Sequence, residues 1–165
     1  MYDFVSNAQR YGGDIKRIFL DTDKWATFAT QHNITWEKRH FESTKPKNIL
    51  AVRGIYVFTL EMSPSELPAH GYMLYMGQAG QGTNGNLRKR FGNYRSDMNR
   101  KKIKRPLVAY MLNRWRKHLY FNFCPLPDPA INLRVIETAF LDAISPPMNT
   151  TDYSAEFDKV RRVAF

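Results

Sequence analysis

The 165-residue chain is 43% hydrophobic and 14% aromatic, and its 25 lysines and arginines against 15 acids leave a net charge of +10 and a pI of about 9.8. That length and apolar content suit one folded unit with its own core and exclude a disordered chain. The charge points to a phosphate polyanion or an acidic membrane surface as partner, and the single cysteine, Cys124, excludes an internal disulfide and a cysteine-based zinc cluster.

In chain order, Met1-Tyr2-Asp3-Phe4 carries no basic segment followed by an apolar stretch, and no apolar run is long enough to span a bilayer. A cytoplasmic protein without a membrane partner is therefore expected. Residues 1–48 read as a helical N-terminal extension, closed by the polar stretch from Ser43 to Asn48, and residues 49–165 as the main domain. Within the extension, Asp21 and Thr22 are placed to cap a helix ending at Gln31, with Trp25, Phe28 and Ala29 at helical spacing. From Leu50 to Leu60, Ile55, Val57 and Thr59 alternate with Tyr56, Phe58 and Leu60, which predicts a strand buried on both faces. A proline-bearing link, Met62 to His70, leads to a second strand from Tyr72 to Gly77, antiparallel because the link is short. Gly77 to Gly85 reads as a flexible loop.

Asn86 is a good helix cap, and Leu87, Phe91, Tyr94 and Met98 then form one apolar stripe. Pro106 suits the first position of the next helix, with Leu107, Tyr110, Met111 and Trp115 expected inward. Leu119 to Pro125 is a third strand. Asn132 caps a helix burying Leu133, Ile136, Phe140, Leu141 and Ile144, which Pro146 and Pro147 stop. A last helix fits Ser154 to Val163. The order predicts a mixed α/β (α+β) domain with a small, mainly antiparallel three-stranded sheet flanked by helices.

Three features do not suit a purely structural role. Glu137 shares the face of Leu133 and Leu141, where a carboxylate needs a partner. A salt bridge to Arg134 or another arginine and a bound metal ion are equally good readings of that position. Arg90 borders the stripe of the 86–98 helix, where an arginine with a packed stem and a solvated head is the plainer reading. Between Arg88 and His118 lie twelve basic residues, Arg88, Lys89, Arg90, Arg95, Arg100, Lys101, Lys102, Lys104, Arg105, Arg114, Arg116 and Lys117, with Asp97 as the single acid. A solvated face would tolerate part of this, but a run so one-sided suits an anionic partner, and Tyr94, Tyr110 and Trp115 among the charges suit nucleic acid. The glycine loop lacks the Lys-Ser/Thr of a P-loop, and His32, His40, His70 and His118 show no ligand spacing.

These residues resemble a known family. Gly54-Ile55-Tyr56 and Tyr75-Met76-Gly77 resemble the two signatures that name the GIY-YIG nucleases. Asn86-Leu87-Arg88-Lys89-Arg90 resembles that family's arginine helix, in which the arginine before the aromatic residue is catalytic. Glu137 matches its metal-binding glutamate and Asn149 its terminal asparagine. The resemblance covers roughly residues 50–151. Within the family, the stretch from Asn86 to Lys102 and the ending Ser145 to Asn149 look most like the phage endonuclease II group, and some type II restriction enzymes share the same core. Met76 replaces the usual Ile or Val, Tyr94 stands where many members have histidine, the loop from Gly80 to Gly85 is longer, and residues 1–48 have no assignable counterpart.

The resemblance implies a GIY-YIG nuclease fold and a metal-dependent endodeoxyribonuclease, with a non-catalytic nucleic-acid-binding module as the alternative. It implies one Mg²⁺ or Mn²⁺ per active site on Glu137, a phosphate clamp at Arg90, and Tyr56 as general base. An unperturbed tyrosine has a pKa of roughly 10, so Arg90 and the metal would have to lower it. Tyr75 and Tyr94 would position water or phosphate, while Gly54, Gly77 and Asn149 support the site. Arg88, Lys89, Arg95, Arg100, Lys101, Lys102, Lys104 and Arg105 would track the backbone of double-stranded DNA. A double-strand cut needs two sites, which is compatible with a homodimer or larger homo-oligomer.

Overall fold

The computed structural model describes residues 12, 14, 16–17, 19–32, 34–62, 70–98 and 105–164. Its centre is a sheet of four antiparallel strands, β1 (Glu37–His40), β2 (Gly54–Met62), β3 (His70–Ala79) and β4 (Leu119–Pro125), in the order β1-β4-β2-β3. The sequence predicts three strands, and β1 is the one it misses. β1 is four residues long, Glu-Lys-Arg-His, with no apolar alternation to betray it. It lies at the sheet edge, paired only with β4, where charged side chains and short length guard against unwanted pairing. The stretch before residue 49 thus supplies a strand as well as a helix, and joins the same sheet as the rest.

The helix α1 (Thr22–Gln31) begins where expected, with the Lys24 amide donating to the Asp21 carboxylate at 3.0 Å. The Asn86 side chain caps α2 (Leu87–Asp97) by accepting from the Lys89 amide at 2.9 Å. α3 (Pro106–Arg114) starts on its proline. α4 (Leu133–Ile144) has Asn132 accepting from the Arg134 and Val135 amides, and ends on Ser145 in the left-handed region (φ 44°) just before the two prolines. α5 (Ala155–Ala164) follows.

β2 is buried on both faces, as its sequence predicts, and its alternation sorts two cores. Tyr56 and Phe58 face a cluster with Phe91 and Tyr94 of α2, Val108, Met111 and Leu112 of α3, and Phe121 and Phe123 of β4. Ile55 and Val57 face Phe28 of α1 and Leu133, Ile136, Phe140, Leu141 and Ile144 of α4. In α3 the fully buried residues are Val108, Met111 and Leu112; Met111 is inward as expected and Tyr110 and Trp115 pack against the same core, whereas Leu107, also expected inward, is 40% exposed. Along β3 the strand runs on through Ala79, so the loop begins three residues later than its glycines suggest.

Candidate active site

β3 is the other edge of the sheet, and its open backbone groups organise the candidate site. One side bonds β2; the other would be left with unpaired donors and acceptors. Met148 donates its amide to the Leu74 carbonyl at 2.9 Å. The buried Asn149 side chain accepts from the Met76 amide at 2.8 Å and donates to the Met76 carbonyl at 2.9 Å, acting as one residue of an absent strand. One step along, Gln78 gives a backbone hydrogen bond to Glu137, and its carbonyl accepts from Arg90 Nη2 at 3.4 Å. Arg90 from α2 and Glu137 from α4 therefore meet at a single residue of β3.

A chain of hydroxyls and guanidinium groups runs beside this point. The Tyr56 and Tyr94 hydroxyls lie 2.7 Å apart, both residues fully buried, and Arg105 Nη1 donates to the Tyr94 hydroxyl at 3.3 Å. The Arg105 guanidinium also sits 4.9 Å from the Tyr94 ring centre and pairs with Asp97 at 2.9 Å. Tyr75 flanks both rings, with centroids 6.4 Å from Tyr56 and 6.2 Å from Tyr94. Tyr75 and Arg105 open into a cavity of about 310 Å³, shared with Asn149, Thr151 and Asp152.

Burial raises the Tyr56 pKa well above the ordinary tyrosine value, the Tyr94 and Tyr75 hydroxyls add to it, and Arg90 opposes without prevailing. Tyr75 is raised in the same direction, by burial first and then by Tyr94. The lowering that a base at Tyr56 requires is thus not supplied by Arg90; at neutral pH both hydroxyls keep their protons and can donate. Arg90 is held charged, chiefly by the Tyr56 hydroxyl. Burial works to lower the Arg105 pKa, but the Tyr94 hydroxyl and Asp97 more than offset it.

Glu137 lies in the face of α4, with 9% of its surface exposed. The salt bridge to Arg134 that the sequence allowed is not made, and among the described residues Glu137 forms no ion pair. Burial first, then the Asp152 carboxylate, push its pKa up to about 7, against Arg90, Arg134 and the Gln78 amide. Asp152 is tied to the same helix by the Thr138 hydroxyl, which donates to its carbonyl at 3.0 Å. A buried carboxylate with no ion pair among the described residues, near the carboxylate of the exposed Asp152, fits a hard divalent ion whose remaining ligands are water. No cluster of three or more metal-ligating side chains occurs among the described residues.

The two signature glycines have steric reasons. A Cβ on Gly77 would collide with the hydroxyl end of Tyr56, and one on Gly54 with the Cys124 carbonyl. Gly77 therefore leaves the space in which the Tyr56 hydroxyl reaches Tyr94. The following loop is anchored rather than free: Arg53 Nη2 and the Leu133 amide both donate to the Gln81 side-chain oxygen, each at 2.9 Å.

The basic residues divide. Arg88 and Lys89 are exposed on α2. Arg95 is committed to the fold, donating to the Phe41 and Glu42 carbonyls at 3.0 and 2.7 Å. Arg105 belongs to the cavity rather than to an open basic surface. Arg100, Lys101, Lys102 and Lys104 lie outside the described residues. Acids from far along the chain relieve the one-sided run: Asp14 pairs with Arg114 at 2.6 Å and Glu42 with Arg116 at 3.3 Å. Sequence reading missed Asp152 and the placement of Arg105, since nothing local distinguishes either from a surface charge. Compared with protein-family models, curated proteins and solved structures, the chain matches none. No helix among the described residues is long and apolar enough to cross a membrane.

Proposed function

We propose that this chain is a metal-dependent endodeoxyribonuclease of the GIY-YIG type. The observation that carries the reading is the meeting of Arg90 and Glu137 on the backbone of Gln78, beside the linked hydroxyls of Tyr56 and Tyr94. The two tripeptides, the arginine helix, Glu137 and Asn149 lie far apart in sequence, and Tyr56, Arg90, Glu137 and Asn149 all reach the segment Met76 to Gln78 or the hydroxyls beside it. A divalent ion on Glu137 would polarise the phosphate and steady the leaving oxygen. Arg90 presents its planar fork to a non-bridging oxygen. Arg105, stacked on Tyr94 and open to the cavity, is a second cation for the same phosphate or its neighbour. Tyr56 and Tyr75 orient the attacking water or the phosphate by donating from protonated hydroxyls, and Tyr94 links Tyr56 to Arg105. Asn149 fixes the loop that carries Asp152 against β3 and touches no substrate. Arg88 and Lys89 extend the cationic surface for double-stranded DNA.

The test is conversion of supercoiled plasmid to nicked or linear forms, with and without Mg²⁺ or Mn²⁺, for the wild type, Glu137→Ala and Arg90→Ala. Cleavage by the wild type alone is the expected result. Cleavage that persists in both variants, or duplex binding without cutting under any divalent metal, overturns the reading and leaves a nucleic-acid-binding module.

A further inference from the structure

The polar break from Ser43 to Asn48 takes no part in the candidate site, yet the fold lays it along α2. Pro46–Asn48 form a single 3-10 turn, closed by the Asn48 amide on the Lys45 carbonyl at 2.9 Å and the Ile49 amide on the Pro46 carbonyl at 3.0 Å. α2 is tied to the chain on both sides of this turn. At the helix start, Arg88 Nε donates to the Ile49 carbonyl at 2.8 Å; at its end, Arg95 donates to the Phe41 and Glu42 carbonyls. Between Pro46 and the helix runs an open groove of about 610 Å³. Lys89, Gly92, Asn93 and Ser96 line it, at i, i+3, i+4 and i+7 and so on one face of α2. Arg90 reaches from the same helix to Gln78, so α2 stands between the groove and the candidate site.

The rim of the groove is cationic, and no acid lines it. Lys45 and Lys47 are exposed, and their side chains form no ion pair or hydrogen bond among the described residues. Lys89 commits one of its three donors, to the Asn84 carbonyl at 3.3 Å, and Arg88 keeps both Nη groups after bonding Ile49 through Nε. Gly92 is an independent sign of a ligand. A glycine inside a helix is unfavourable and calls for a reason. Packing supplies none, because a Cβ at Gly92 would meet only Pro46, at 3.9 Å, an ordinary contact. Bare backbone in the wall of a groove lets a ligand approach closely.

We propose that this groove is a docking surface for the phosphate backbone of duplex DNA, with Lys45, Lys47, Arg88 and Lys89 on its rim and Gly92 making room for the strand. A bilayer is met by a protruding apolar face, whereas this is a recess with an amide and a hydroxyl in its wall. The place of the seated backbone, one helix away from the cut, rests on the nuclease reading; the duplex surface itself does not. Contacts of this kind fix the position of the duplex without reading its bases.

The experiment measures duplex binding in EDTA by fluorescence anisotropy over a salt series, so that cutting plays no part. The Lys45→Ala, Lys47→Ala double variant should bind several-fold more weakly and flatten the plot of log K against log salt by roughly 1–2, at about 0.9 per phosphate contact. Gly92→Gln adds no charge and fills the groove; it should also bind several-fold more weakly, with a melting temperature equal to the wild type's or higher because glutamine favours the helix. Lys159→Ala, exposed on α5 and outside the groove, should change neither affinity nor slope, and melting curves confirm that each variant is folded. An unchanged slope in the double variant, wild-type affinity in Gly92→Gln, or an equal loss in Lys159→Ala overturns the proposal. Wild-type binding to phosphatidylglycerol vesicles that is tighter than to duplex at equal salt, and that the double variant loses, assigns the surface to a membrane and also overturns it. Plasmid cleavage is scored separately: cutting with an unaffected slope removes the docking surface and keeps the nuclease, whereas a flattened slope without cutting does the reverse.

Discussion

The two faces of the central sheet are built from different chemistry. The face under α2 and α3 is aromatic: Phe58 meets Phe41, Tyr94 and Phe121 at ring separations of 5.5, 4.9 and 5.2 Å. It buries two tyrosine hydroxyls, bonded to each other, with Arg105 donating to that of Tyr94. The face under α1 and α4 is mainly aliphatic and buries a carboxylate that forms no ion pair among the described residues. Aromatic rings carry polar atoms into a core at fixed positions and still pack, so the first face can be both stable and polar. An aliphatic face has no such device, so Glu137 there is a cost to the fold. The candidate site lies where the two faces meet, at the open edge of β3.

The strongest way to break this contrast is Glu137→Gln. If the carboxylate serves a metal, cleavage should fall on the order of 10³-fold or more in a plasmid assay. Stability should move the other way. Glu137 has a folded pKa of about 7, above its value of about 4.5 when unfolded, so the native state binds the extra proton between those values. Its contribution is therefore least unfavourable below pH 4.5 and becomes unfavourable as pH rises through 7. Glu137→Gln should then stabilise the protein at pH 8 by about 1–3 kcal/mol and hardly at all at pH 4.5, read from urea unfolding at the two pH values. Equal stability of the two proteins at pH 8 would show that the carboxylate is compensated.

Truncation compares the two faces directly. Phe58→Ala should cost about 3–5 kcal/mol and Leu141→Ala about 2–4, with the excess at Phe58 measuring the ring contacts beyond buried area. A larger loss at Leu141 would reverse the ranking. At the edge, Asn149→Ala strands the amide and carbonyl of Met76 and should cost about 2–3 kcal/mol, with Asn149→Asp recovering part through the retained acceptor. The smallest expected effect is Tyr94→Phe. It keeps the ring and removes the link between Tyr56 and Arg105, so stability should fall by about 1 kcal/mol while cleavage falls roughly tenfold. Unaltered cleavage in a folded Tyr94→Phe protein would make that hydroxyl purely structural.

Most elements were legible because their signals are local. Asp21, Asn86 and Asn132 each cap the helix they precede, and Pro106 opens the helix it predicts. The double-faced burial of β2 follows from its unbroken apolar run. β1 was not legible, because an edge strand of four charged or polar residues is recognised only by its partner β4. In α3, Tyr110, Met111 and Trp115 were legible as inward and Leu107 was not, since the surface the helix packs on comes from elsewhere in the chain.

By itself, the sequence determined the elements other than β1, the overall charge, and the residue types at Gly54, Tyr56, Tyr75, Gly77, Arg90, Glu137 and Asn149. Only the tertiary structure decided which of them meet. It made β3 an edge, so that Asn149, Arg90 and Glu137 are drawn to the backbone groups of Met76 and Gln78 that no strand satisfies. It left Glu137 without the Arg134 salt bridge, put Arg105 on Tyr94, and laid the turn at Pro46 along α2. The reason is one of range: caps and periodicity act over three or four residues, whereas the partner of a buried charge is chosen by packing across the whole chain.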